Sequence, residues 1–190
     1  MGSRLVALLV VALVALPAAA ADVAGVTIED RARVENSDLV LNGAGLRKRV
    51  FFQVYAIGLY LPKKTSSAEE AVSLAGPKRV AIHMLRDVGA DTFTNALAEG
   101  IRDNHSEAEA KALEPKVKAL GDTMANLKEA KKGMAITLDW NGKVTQMTVD
   151  GKAAGPPIEG DDFYRALLRI WLGEKPVQED LKKALLGAAQ

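Results

Sequence analysis

Between Val50 and Leu61 nearly every residue is apolar, with Gln53 the main interruption. A strand with one wet face would alternate, so this run predicts a strand covered on both sides and stopped by Pro62. Just ahead of it, Asn42-Gly43-Ala44-Gly45 reads as a flexible glycine turn that delivers Arg47 to the start of the strand. Arg31 to Leu41 predicts short extended pieces around a turn at Glu35 to Asp38, and Lys78 to Leu85 returns to strand character after a short helix over Ser67 to Leu74. From Asp91 the period lengthens: Phe93, Leu97 and Ile101 recur every fourth residue and make one face of a helix ending near His105. Ser106 and Glu109 form a capping box for a second helix that reaches Leu127, with Pro115 expected to divide or restart it. Met134 to Trp140 and Lys143 to Val149 alternate around Asn141-Gly142, the signature of a hairpin with a two-residue type I′ turn. Gly155-Pro156-Pro157 then breaks the chain before an amphipathic helix from Asp161 to Leu172, and Pro176 opens a last helix through Leu185 or Leu186. Strands, helices, a hairpin and helices in that order predict an α+β domain, a largely antiparallel sheet covered by a layer of helices.

The first residues carry a different pattern. Arg4 precedes an apolar stretch from Leu5 to Leu16, which is followed by Pro17 and the small residues Ala18 to Ala21. That is the layout of a signal peptide, shorter than the roughly 20 apolar residues that span a bilayer. Residues 1–21 are therefore expected to be removed near Ala21, leaving residues 22–190 as one exported domain, periplasmic or secreted, with no stable membrane insertion. No cysteine is present, so lipid attachment at the cleavage site, disulfides and thiolate chemistry are all excluded. Losing Arg4 leaves 24 basic residues against 24 acidic ones in that domain, and no basic field for nucleic acid remains.

Candidate chemistry is sparse. Arg47 carries a permanent charge and a planar fork of donors suited to a carboxylate or a carbonyl, although with Lys48 and Arg49 it also reads as a solvated basic turn. His83 and His105 are far apart in sequence, one in an apolar strand and one near a helix end, so no metal site and no cofactor are expected. Neither a phosphate-cradling glycine loop nor a nucleophile elbow is present.

Asn42-Gly43-Ala44-Gly45-Leu46-Arg47, followed by Tyr55-Ala56-Ile57-Gly58-Leu59-Tyr60-Leu61, resembles the start of the chalcone isomerase fold in its bacterial branch with signal peptides. The segment Phe163-Tyr164-Arg165-Ala166-Leu167-Leu168-Arg169-Ile170-Trp171-Leu172-Gly173-Glu174 resembles the same branch. In the family's plant enzymes an arginine activates a chalcone for attack by its own phenolate oxygen, and Arg47 is similar in position to it. The resemblance sets Tyr55 where those enzymes carry a threonine, Phe93 in place of a tyrosine, Gly100 in place of an asparagine and Ile170 in place of a threonine. Phe93, Gly100 and Ile170 have no polar side chain, so they cannot orient a water. Tyr55 restores one hydroxyl.

Non-enzymatic members of that family bind fatty acids. The resemblance thus implies a non-catalytic protein that holds a hydrophobic carboxylate on Arg47, in a cleft lined by Val54, Tyr55, Ile57, Val88, Phe93, Leu97, Ile170 and Trp171. Two other readings stay open: an intramolecular lyase of the chalcone isomerase type using Arg47 and Tyr55, and a ligand-free structural or partner-binding domain whose apolar residues simply fill the core.

Overall fold

In the computed structural model residues 20–188 are described, and the Leu5 to Leu16 segment on which the expected export signal rests lies outside them. The described residues open with a small hairpin of β1 (Ala21–Val23) and β2 (Val26–Ile28). Next come β3 (Arg31–Val34), a long β4 (Ser37–Arg49), β5 (Phe52–Leu61), helix α1 (Ala68–Ser73) and β6 (Lys78–Met84). A short β7 (Val88–Gly89) leads into α2 (Ala90–Asp103) and α3 (Glu107–Leu127), and β8 (Glu129–Ala130) pairs back onto β7. Then follow β9 (Ala135–Trp140), β10 (Val144–Val149), β11 (Lys152–Glu159), α4 (Asp161–Leu172) and α5 (Glu179–Leu185).

Seven strands form one wholly antiparallel sheet in the order β11-β10-β9-β6-β5-β4-β3, which makes the α+β expectation correct. Its inner face packs on the helices. Ile57, Leu59, Ile82 and Leu138 meet Leu97, Ile101, Met124, Phe163 and Leu167 there, all buried. On the outer face the β1–β2 hairpin covers the middle of the sheet, and Ile28, Leu39, Ala56 and Tyr60 form a second, smaller cluster. β5 is thus covered on both sides from Ala56 onward, as its unbroken apolar run implies.

Several local expectations change. Gly43 and Gly45 do not make a turn: they lie inside β4, and the chain reverses later, at Val50 and Phe51. Val50, Phe51 and Phe52, read as the buried start of the apolar strand, are consequently exposed at a hairpin tip. Pro115 does not divide α3. It lies on an exposed side of the helix, where the carbonyl its ring leaves unpaired can be hydrated. Gly155-Pro156-Pro157 sits within β11, an edge strand bonded only to β10, the place where a sheet tolerates residues without N–H donors. At the β9–β10 hairpin only Gly142 has positive φ, so the turn is not type I′. Instead the Asn141 side chain accepts from the N–H groups of Lys143 and Val144, both at 3.0 Å, closing a longer loop.

Candidate functional site

β4 and β5 are paired with Arg47 directly opposite Tyr55, Gly45 opposite Ile57 and Gly43 opposite Leu59. Residues two apart on a strand share a face, so these six line the inner face, beneath α4 and α5. What puts the glycines on that face is a bulge. Leu41 pairs with Tyr60 and Gly43 with Leu59, leaving Asn42 as the extra residue, and β4 changes faces at that point. Without it Arg47 would face outward.

Tyr55 is held from α4. The Trp171 indole N–H donates to its hydroxyl oxygen at 2.9 Å, and burial raises the phenol above its ordinary pKa, with the Trp171 hydrogen bond and the Arg47 charge offsetting part of that rise. Tyr55 is therefore neutral at physiological pH. Because Trp171 uses the oxygen, the hydroxyl proton remains for another acceptor.

Arg47 is held from the other side. Its Nη1 donates to the Lys48 carbonyl and, at a long 3.5 Å, to Oε1 of Gln178. The Lys48 backbone N–H donates to the same Gln178 oxygen at 2.9 Å, and Gln178 Nε2 donates to the Leu46 carbonyl at 3.2 Å. Among the described residues no carboxylate forms an ion pair with Arg47. One amide oxygen at the head of α5 thus sits where two donors converge, as a carboxylate oxygen would.

The space over the glycines is occupied by α5. A β-carbon on Gly43 would lie 2.7 Å from the carbonyl carbon of Leu185, and the Ala184 carbonyl oxygen is nearer still. Asn42 fastens this contact: its Nδ2 donates to the Leu185 carbonyl at 2.7 Å while its Oδ1 accepts from the Thr65 N–H at 2.7 Å. Farther along the inner face, Ile170 rests on Gly100, where an added β-carbon would lie 2.9 Å from its Cγ2. Gly100 and Ile170, which the resemblance sets in place of an asparagine and a threonine, therefore touch, and neither offers a polar side chain.

Most of the expected site residues do converge. Arg47, Tyr55 and Trp171 form one linked set, and Ile57, Leu97 and Ile170 are buried in the same core, with Phe93 and Val88 half-buried against it. Val54 does not join them: it is the extra residue of a second bulge, between the Arg47–Tyr55 and Lys48–Gln53 pairs, and packs on neither cluster. Gln178 and Asn42 were not anticipated. Asn42 lies in the motif already singled out, but nothing in the sequence states that its partner is 143 residues away. The histidines are unrelated in space: Arg169 donates to Nε2 of His105 at 3.1 Å, so its Nδ1 carries the proton donated to the Ile101 carbonyl, while His83 lies half-buried in β6.

A family model described as chalcone isomerase-like matches residues 20–187. The chain belongs to that family. A crystal structure of a fatty-acid binding protein from Arabidopsis thaliana shares the fold of this chalcone isomerase-like chain with a TM-score of 0.70. The match covers 85% of this chain and 92% of that one, at 15% sequence identity. No curated protein matches the sequence. Within the chalcone isomerase-like fold, then, this chain pairs an arginine across the strands with a tyrosine and lays α5 over the glycines beside them.

Proposed function

We propose that the protein is a non-catalytic binder of a hydrophobic carboxylate, a fatty acid by its chemistry, with the head group on Arg47 and Tyr55. The observation that carries this reading is the Gln178 side-chain oxygen, which takes the converging donors of Arg47 and Lys48 that a carboxylate would take. Entry of the ligand displaces Gln178 and lifts α5 from Gly43, and the acyl chain lies along the glycines beneath it. Magnitudes allow the exchange. Leu181 and Leu185 together contribute about 3–6 kcal/mol by burial, whereas an acyl chain of about a dozen methylenes gains on the order of 10 kcal/mol at about 0.8 kcal/mol each. The fatty-acid binding protein that shares this fold supports the choice of ligand class. On this reading the protein works after export, as the domain left when residues 1–21 are removed; N-terminal sequencing of protein from fractionated cells is expected to find a chain starting close to Asp22 in the soluble fraction.

Native mass spectrometry and calorimetry with long-chain fatty acids test the binding. One fatty acid per chain is expected, and Arg47→Ala is expected to weaken it by about 1.5–3 kcal/mol, the range of a charge-assisted hydrogen bond, with the fold intact. Equal affinity in both proteins removes Arg47 from the site. The tight contact of α5 with Gly43 favours one other reading, a ligand-free structural domain. It becomes the better one if fatty acid neither binds nor speeds hydrogen exchange in α5.

Chalcone cyclisation is expected not to be accelerated beyond the small effect of a charged surface. Gly100 and Ile170 fill with hydrocarbon the place where a water-orienting pair would stand. Monitoring a chalcone by absorbance against buffer and against Arg47→Ala measures this, and an Arg47-dependent acceleration of several orders of magnitude would establish an enzyme instead.

A further inference from the structure

The β4–β5 hairpin ends in three consecutive bulky apolar residues that nothing covers: Val50 is 79% exposed, Phe51 94% and Phe52 59%. Val50 also has φ of 55°, a conformation that a β-branched residue adopts only at a cost and that glycine would take freely. Fold stability alone thus favours neither valine nor two phenylalanines at this tip. Directly behind it lies a collar of exposed cations: Lys48 and Arg49 on the hairpin, Arg86 in the turn after β6, and Lys131 and Lys132 before β9. Arg86 stands over the Phe52 ring at 4.6 Å. Hydrogen bonds between the adjoining turns, from Leu85 N–H to the Val54 carbonyl and from Gly133 N–H to the Met84 carbonyl, hold these groups at one end of the sheet. Three acidic groups stand at the same end against these five cations, so the collar stays net positive. Asp87 accepts from the Lys132 N–H at 2.7 Å, Asp150 from the Ala135 N–H at 2.9 Å, and Glu129 pairs with Lys131 at 3.5 Å.

We infer that this hairpin tip is a membrane-docking element that inserts Val50, Phe51 and Phe52 into the interface of an anionic bilayer while the basic collar sits on its head groups. Charge and shape decide the occupant. A stable protein interface covers about 800 Å² on each side, far more than a three-residue point supplies. An apolar point with cations set behind it matches instead the layered chemistry of a bilayer surface, hydrocarbon beneath anionic head groups. No helix among the described residues is long and apolar enough to cross a membrane. The inference is independent of the fatty-acid reading, which concerns the space under α5: vesicle docking is measured without added fatty acid, and fatty-acid binding without vesicles, so either can fail alone.

The experiment uses the full chain and vesicles of phosphatidylglycerol or of phosphatidylcholine. Because Leu5 to Leu16 is itself apolar, the readout is confined to the tip: Phe51→Trp is placed in the otherwise unchanged protein and its emission compared with that of the parent. With phosphatidylglycerol the new indole is expected to shift to the blue and to be quenched by lipids brominated near the head group, and with phosphatidylcholine it is expected to do neither. Lys48→Glu with Arg49→Glu in the same background is expected to lower the apparent vesicle affinity at least about tenfold, as is raising salt. In co-sedimentation, Phe51→Ser with Phe52→Ser is expected to lower affinity to a similar degree while leaving the melting temperature unchanged. An indole that stays unquenched with phosphatidylglycerol, quenching that ignores both charge reversal and salt, or an unchanged affinity in the double serine variant overturns the inference.

Discussion

Gly43→Val is expected to release α5 from the sheet and to cost on the order of 4–7 kcal/mol. The contact is backbone against side-chain space: a β-carbon there would lie 2.7 Å from the Leu185 carbonyl carbon and closer to the Ala184 oxygen, and neither atom can swing aside as a flexible side chain could. Either the helix leaves or β4 bends. Losing the helix forfeits the burial of Leu181 and Leu185, about 1.5–3 kcal/mol each, and the hydrogen bond from Asn42, about 1 kcal/mol. Small domains hold only about 5–15 kcal/mol in total, so the variant sits near the limit of folding. Urea denaturation gives the number, and a lower m-value alongside the lower midpoint would show that α5 is already undocked before the rest unfolds. Gly89→Ala is the control, because its β-carbon would meet nothing within 4 Å. A Gly43→Val protein as stable as the control would mean that α5 does not rest on β4.

The elements with a strong period or a chemical boundary were legible in the sequence. Ser106 and Glu109 mark the start of α3 by their capping box, and the Asp161–Leu172 helix has the expected limits because its apolar face repeats cleanly and Gly173 follows it. Bulges and edges were not legible. A bulge is one unpaired residue whose only trace in sequence is a shift of alternation, and in β4 the glycines erased that trace by having no side chain to alternate. The same glycines suggested a turn, because conformational freedom and the need for close approach call for the same residue. Here close approach governs, since the neighbour is α5. Likewise Pro156 and Pro157 argue against a central strand but not against an edge, and whether a strand is at an edge is a property of the finished sheet.

For the candidate site, the sequence supplied the parts that come from one strand pair. Arg47 and Tyr55 are eight residues apart around a hairpin, and local pairing is enough to bring them together. Trp171 was named as a neighbour through the resemblance, and its indole does reach Tyr55. The Gln178 contact escaped because glutamine at a helix start looks like any polar residue, and its two donors lie 130 and 131 positions earlier in the chain. What the fold adds is the closure: the sequence read as an open apolar space is one in which the C-terminal helix lies on the glycines.

Asn42→Ala is the variant that separates a movable lid from a permanent plug. The substitution leaves the buried Leu185 carbonyl and the half-buried Thr65 N–H without their partner, and a group stranded in this way costs about 1–3 kcal/mol, so a loss of about 2–6 kcal/mol is expected, toward the lower end because water reaches Thr65. Asn42→Asp keeps the acceptor for Thr65 but turns an oxygen toward the Leu185 carbonyl. At neutral pH it should be at least as destabilised as Asn42→Ala, because the introduced carboxylate is buried against a carbonyl dipole, which raises its folded pKa above the unfolded value of about 3.9. The sign follows from that: its stability is highest below the unfolded value, where a protonated carboxyl can donate to Leu185, and falls as pH rises through the folded one. Affinity then carries the distinction. If α5 must lift before a fatty acid enters, apparent affinity scales with the open fraction, and weakening the closed state raises that fraction. Asn42→Ala is therefore expected to lose stability and gain fatty-acid affinity together, by calorimetry up to about tenfold for every 1.4 kcal/mol taken specifically from the docked helix while the closed form still dominates. Affinity that falls along with stability would mean that α5 is part of the binding site's wall, not the element that covers it.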